Sequence, residues 1–159
     1  MDLRSPKLQK ILDTWIEEDL GDGDLTRFVL NDISGSAHWI AKEDGIFCGG
    51  ELVKLLFHKI DPQVEIQLLI KDGQKFKTNQ RLLELQGSSK SLVAGERTTL
   101  NVAMHLSGIA TSTSSLLTKL SGSNVKLADT RKTTPGLRVF EKYAFRCGGG
   151  INHRLGLDD

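Results

Sequence analysis

The chain has 159 residues, of which 38% are apolar and 26% charged. That is room for one domain and part of another, and well short of the ~250 residues of a closed (β/α)₈ barrel. Its 21 basic and 20 acidic residues leave a net charge of +1, without the basic excess expected of a nonspecific nucleic-acid binder. No apolar run reaches the ~18 residues of a membrane-spanning helix, and the N-terminal stretch lacks the apolar core of a secretory signal.

The first predicted element is a helix. Ser5 and Pro6 form a capped start, Leu8, Ile11, Leu12, Trp15 and Ile16 recur at helical spacing, and Gly21 stops it. Asp22 and Asp24 read as loop caps, with Asp24 opening a short helix over 25–30. Ala37, Trp39 and Ala41 alternate along a strand over 37–42. Leu52, Val53, Leu56, Phe57 and Ile60 mark a second amphipathic helix, ended by Pro62. Strict alternation at Val64, Ile66, Leu68 and Ile70 gives the clearest strand, and Asp72-Gly73 predicts a hairpin turn after it. A further strand is expected around 81–85.

From Ser89 the periodicity changes. A helix is predicted over 92–106, interrupted at Ser107-Gly108 and resumed over 109–120. Val125 to Ala128 reads as a short apolar strand, and Pro135 opens a helix running to about Arg146. Helix, strand and helix in this order suit the start of a parallel α/β unit. Residues 1–88 thus read as an α+β unit with an antiparallel sheet and helices, followed by the start of a second, parallel α/β domain.

Two polar segments are candidates for chemistry. Asp129-Thr130-Arg131-Lys132-Thr133-Thr134 follows the apolar strand, where parallel α/β folds bind ligands. Arg131 and Lys132 suit an anion, the first as a fork and the second as a point charge. Gly148-Gly149-Gly150 precedes Asn152-His153-Arg154 and reads either as a backbone approach to a ligand or as a helix stop with a tight turn. Glu96-Arg97 reads as a surface ion pair. Arg138, Lys142 and Arg146, at four-residue steps, read as a solvated stripe. Cys48 and Cys147 form neither a CxxC pair nor a metal framework, which points to a reducing, cytoplasmic setting.

Several stretches together resemble the quinolinate phosphoribosyltransferase family, decarboxylating enzymes that make a pyridine mononucleotide. They are residues 18–26 (EDLGDGDLT), 95–101 (GERTTLN), 107–111 (SGIAT), 129–136 (DTRKTTPG), 141–144 (EKYA) and 146–157 (RCGGGINHRLGL). A sister family linked to molybdenum transport shares the fold and a TRKT-type loop, but not the Glu-Arg-Thr helix motif or an Asn before the His-Arg pair. Arg97 and Asn152 therefore favour the quinolinate enzyme over that sister protein, and an inactive anion-binding fragment is the other alternative.

The resemblance implies a fold class of an α+β N-terminal sandwich domain over residues 1–105 followed by the beginning of an α/β barrel over residues 106–159, and a homodimer in which Arg97 reaches quinolinate across the subunit boundary. It implies that Thr130, Arg131, Lys132, His153 and Arg154 contact substrate, with Lys132 and His153 as the catalytic pair. Mg²⁺ is expected with the phosphoribosyl pyrophosphate donor. The family continues beyond this point with a strand bearing another lysine and with acidic residues that help hold the donor. The 159-residue chain is accordingly expected to be a fragment, inactive by itself.

Overall fold

A computed structural model describes residues 1–21, 23 and 31–158. The expected Asp22 and Asp24 caps and the helix over 25–30 lie outside the described residues. The elements run α1 (Pro6–Leu20), β1 (Ser34–Ile40), β2 (Gly45–Ile46), α2 (Gly50–Ile60), β3 (Glu65–Leu68), β4 (Lys75–Phe76), β5 (Arg81–Ser88), α3 (Ser89–Lys119) and α4 (Arg138–Cys147).

The main sheet is antiparallel in the order β1-β5-β3, with Ala37 opposite Leu85 and Ile66 opposite Leu85 on its other edge. Alternation puts Leu83 and Leu85 inward, where they meet Val53 and Phe57 of α2 and Leu92 and Ala103 of α3. The opposite face of α2, Leu52 and Leu56, packs with Leu8 and Leu12 of α1, Leu106 and Ala110 of α3, and Phe140 and Ala144 of α4. α2 is therefore buried on two sides, which accounts for the adjacent apolar pairs Leu52-Val53 and Leu56-Phe57 on either side of Lys54.

Asp72-Gly73 does form a turn, but not the expected hairpin. β3 pairs with β5, whereas β4 pairs with β2 in a separate two-stranded sheet. The Asp72 carboxylate explains the diversion. Its Oδ1 accepts the backbone N–H groups of Gly49 (3.0 Å) and Gly50 (2.9 Å). It thus satisfies free donors at the start of α2, where Gly49, at φ 108°, offers no side chain to do so.

Ser107-Gly108 does not interrupt α3, which runs unbroken for 31 residues. Burial of Ala103, Leu106, Ala110 and Thr113 on one face outweighs the ~1 kcal/mol helix cost of a glycine. The hydroxyls of this stretch also have work at the helix surface: Ser107 Oγ accepts from Cys48 N (3.0 Å) and Thr111 Oγ1 from Ile46 N (2.8 Å). The expected strand over 125–128 is reduced to one parallel bridge, Ala128 with Ile151, held by Asp129 N to Ile151 O and Ile151 N to Leu127 O. The last helix begins at Arg138 rather than Pro135, because Leu137 N closes a turn on Thr134 O and Gly136 adopts φ 83°.

Two glycines of α3 face opposite environments. A Cβ on buried Gly95 would stand 2.6 Å from Phe57 Cδ1, while one on Gly108 would meet nothing within 4 Å. Gly95→Ala should therefore lower stability by about 1–3 kcal/mol through overpacking. Gly108→Ala should raise it by roughly 0.5–1 kcal/mol. Urea unfolding of both variants checks this; equal signs would refute the packing described.

Candidate active site

The single bridge between Ala128 and Ile151 aligns the two candidate segments side by side. One leaves its strand end as Asp129 to Thr134, the other as Asn152 to Arg154, so four of the expected cationic or titratable side chains, Arg131, Lys132, His153 and Arg154, belong to two adjacent loops. Lys132, His153 and Arg154 are exposed, and Arg131 is half-buried. Thr130 Oγ1 accepts from Lys132 N (3.1 Å), shaping the turn that presents the Arg-Lys pair.

The stripe on α4 is the main reversal. Lys142 is not solvated: its side chain is 2% exposed and that of Asp129 is 7%, and they pair at 2.6 Å. Lys142 Nζ also donates to His153 O (2.7 Å), while Asp129 Oδ1 accepts His153 N (2.6 Å). Asn152, with its amide nitrogen turned inward, donates to Asp129 Oδ2 (3.1 Å) and Lys142 O (3.0 Å). Arg138 likewise turns onto the loops. The cause is the second buried face of α4: Phe140 and Ala144 pack on the helical core while Lys142 faces the loop segments on the other side. Arg146 remains exposed, beside the Tyr143 ring at 5.8 Å.

A further clamp comes from Glu141. Its Oε2 accepts Thr134 N (3.2 Å) and its Oε1 pairs with His105 Nε2 of α3 (3.2 Å). Burial pushes this carboxyl up, but the donors from Thr134 and His105 outweigh it and leave the group below the ordinary glutamate range. The carboxylate form that holds the loop is thereby favoured.

The glycine run resolves toward structure. A Cβ on Gly148 would overlap the Ala110 carbonyl of α3 and lie 2.6 Å from Thr113 Cβ. One on Gly150 would lie 2.5 Å from Phe145 Cδ1. Gly149 takes φ 95°. These residues let α4 end against α3 and turn sharply into Ile151. Arg97 is 78% exposed and approaches Asp19 at 3.8 Å rather than pairing with Glu96.

The ligand atoms of Cys48, Asp72 and Cys147 lie within 4.8 Å of one another, a set that could hold a metal. Its polar groups are already engaged, since Tyr143 O–H donates to Asp72 Oδ2 (2.7 Å) and Oδ1 caps α2. The Cys48 thiol is pushed up by its contact with Cys147 and by burial. Cys147 is drawn down by Cys48, against burial, with help from Tyr143. The cluster is a seam joining α4 to the N-terminal domain. A separate cleft of about 270 Å³ lies between α1, α3 and α4. Glu18 and Asp19 on its wall disfavour an anion there, so the loop pair is the better anion site.

Asp129, Asn152, Arg138 and Lys142 were not among the expected site residues. The usable signal was the placement of Asp129 directly after an apolar run, with a lysine thirteen residues on, in a helix whose other face is apolar. Replacing Lys142 by Met should cost about 3–5 kcal/mol, because it strands the buried Asp129 carboxylate. Adding Asp129→Asn should restore a substantial part. Denaturant unfolding of the single and double variants checks this; a Lys142→Met chain as stable as the parent would contradict a buried pair.

A family model of the quinolinate phosphoribosyl transferase N-terminal domain matches residues 24–107, and one of the C-terminal domain matches residues 109–159. A probable nicotinate-nucleotide pyrophosphorylase (carboxylating) of Synechocystis is 44% identical over 149 residues, covering 93% of this chain and 50% of that protein. Its counterpart in Bacillus subtilis is 44% identical over 154 residues, covering 96% of the chain and 53% of that protein. The solved nicotinate-nucleotide pyrophosphorylase of Francisella tularensis superposes with a TM-score of 0.94 at 40% identity, over 98% of this chain and 57% of that one. The chain thus spans about half the length of the curated relatives it matches. With both domain models matched in chain order over most of the chain, the chain belongs to the quinolinate phosphoribosyltransferase family.

Proposed function

We propose that the chain supplies the quinolinate-binding half of an enzyme that joins quinolinate to phosphoribosyl pyrophosphate, releasing pyrophosphate and carbon dioxide and forming nicotinate mononucleotide for NAD synthesis. One observation carries this reading beyond family membership. The buried Nε of Arg131 has no hydrogen-bond partner among the described residues. A buried unmet donor on a cation costs free energy that a carboxylate would recover. Lys132, His153 and Arg154 stand exposed on the same pair of loops. Quinolinate is a dianion with vicinal carboxylates, and the donor carries several more negative charges.

In this reading the loop cations fix the ring so that its nitrogen faces the anomeric carbon of the donor. The new C–N bond forms as the bond to pyrophosphate breaks, and positive charge develops on the sugar. The carboxylate beside the now cationic nitrogen then leaves as carbon dioxide, its electron pair remaining on the ring carbon, stabilised by that nitrogen until the carbon takes up a proton from solvent. Positioning and preorganised charge supply the rate enhancement, with Lys132 and His153 beside the reacting groups. No covalent nucleophile is required.

The loops do not fit Mg²⁺. Asp129 is consumed by Lys142, His153 N and Asn152, and Glu141 by Thr134 and His105. The ion expected with the donor's pyrophosphate is thus not assigned to them, and no step is routed through it. A homodimer is part of the proposal: Val93, Met104 and Leu116 leave apolar surface exposed along α3, the helix that also carries Arg97. Two free thiols lying side by side agree with a cytoplasmic setting.

The tests use a family-length protein, in which this chain is joined to the corresponding C-terminal half of the Bacillus subtilis relative. Arg131→Ala and Arg154→Ala should each weaken quinolinate binding about ten- to a hundredfold, the worth of roughly 1.5–3 kcal/mol for a charged hydrogen bond. Calorimetric titration reads this, and unchanged affinity in both would sink the assignment. Mixing an inactive Arg97→Ala protein with an inactive Lys132→Ala protein should restore activity, because one site of a mixed dimer then carries neither lesion. No recovery despite demonstrated subunit exchange would place Arg97 outside the partner's site.

A further inference from the structure

We propose that Arg138 and Lys142 are positioning residues that index both quinolinate loops to one face of α4; this rests on the quinolinate reading above. The two loops share only one backbone bridge, which fixes their roots but not their tips. The Asp129 carboxylate adds direct ties to His153 N and the Asn152 amide close to the bridge, and two cationic side chains four residues apart on α4 tie both segments to the helix.

Lys142 forms the rung at the roots. It holds the side chain of Asp129 from the first segment and the carbonyl of His153 from the second. Arg138 forms the rung nearer the tips. Its Nε donates to Thr133 Oγ1 (3.1 Å), its Nη2 to Arg131 O (3.3 Å), and its Nη1 to Leu155 O (3.1 Å). The first two acceptors flank Lys132 in the first loop, and the third follows Arg154 in the second. A planar guanidinium fixes the mutual placement of all three acceptors, which a lysine could not do.

Neither cation has its charge directed at a substrate. Lys142 is neutralised by Asp129, and all three nitrogens of Arg138 are donating to the protein. Their contribution is therefore geometric. Arg138 grips the carbonyl of Arg131, the residue whose Nε is buried without a partner, and so sets where that donor points. A misplaced binding group loses much of its value even when its charge is intact.

Positioning and general structural support differ in their coupling. If Arg138 acts through Arg131, its loss should matter little once the Arg131 guanidinium is gone. In the family-length protein, Arg138→Met should raise the quinolinate Kd about tenfold, and Arg131→Ala about ten- to a hundredfold. The double variant should bind no more than about threefold more weakly than Arg131→Ala alone. Thermal melts confirm that each variant is folded. Should Arg138→Met fail to fold, Thr133→Val removes one acceptor and leaves the guanidinium. It should raise Kd about threefold, and that increase should vanish in the Arg131→Ala background. Independent, multiplying effects, or a folded Arg138→Met protein with parental affinity, would overturn the positioning role and leave the quinolinate reading standing. Parental affinity in Arg131→Ala itself would overturn the quinolinate reading and this inference with it.

Discussion

The ion pair between Lys142 and Asp129 is the constraint on which the rest of the site depends. Removing two charges from water costs several kcal/mol per ion unless each finds partners, and here each does. Asp129 accepts from Lys142, from the backbone of His153 and from Asn152, while Lys142 also donates to the His153 carbonyl. The pair lies where the helix and both loop roots converge, so its geometry can be satisfied only when all three are in register. One parallel bridge would otherwise leave the two segments free to splay.

A second set of contacts ties this assembly to the N-terminal domain. Asp72 accepts two amides at the start of α2 with one carboxylate oxygen and the Tyr143 hydroxyl with the other. Cys48 and Cys147 meet beside it. The same short helix thus carries Arg138 and Lys142 toward the loops, Phe140 and Ala144 toward the helical core, and Tyr143 toward Asp72. α3 completes the frame. Its glycine at position 95 admits the Phe57 ring, and its contact with Gly148 lets α4 end against it.

Charge is used unevenly. The whole chain carries a net charge of +1, yet Arg131, Lys132 and Arg154 gather on adjacent loops while the neighbouring carboxylates are consumed by fixed partners. The cleft between α1, α3 and α4 has the reverse character, with Glu18 and Asp19 on its wall. Local accounting of which charges are already paired, rather than net charge or cavity size, separates a place for an anion from one that would repel it.

The sequence by itself determined much of the secondary structure and the chemical character of the loops. Periodicity in α1, α2 and β5 reflects burial on defined faces, and Arg131, Lys132, His153 and Arg154 are legible because their type and order carry the resemblance. What it could not determine were pairings between distant segments. Asp72-Gly73 reads as a hairpin because a local turn signal says nothing of which strand comes next; the donors of α2 decided that. Ser107-Gly108 reads as a break because propensity omits the packing on either side. Arg138 and Lys142 read as solvated because spacing shows that two cations share a helix face but not what covers it. Only the tertiary structure brought Asp129, Thr133 and the carbonyls of Arg131, His153 and Leu155 against that face, converting an apparent surface stripe into the frame of the site.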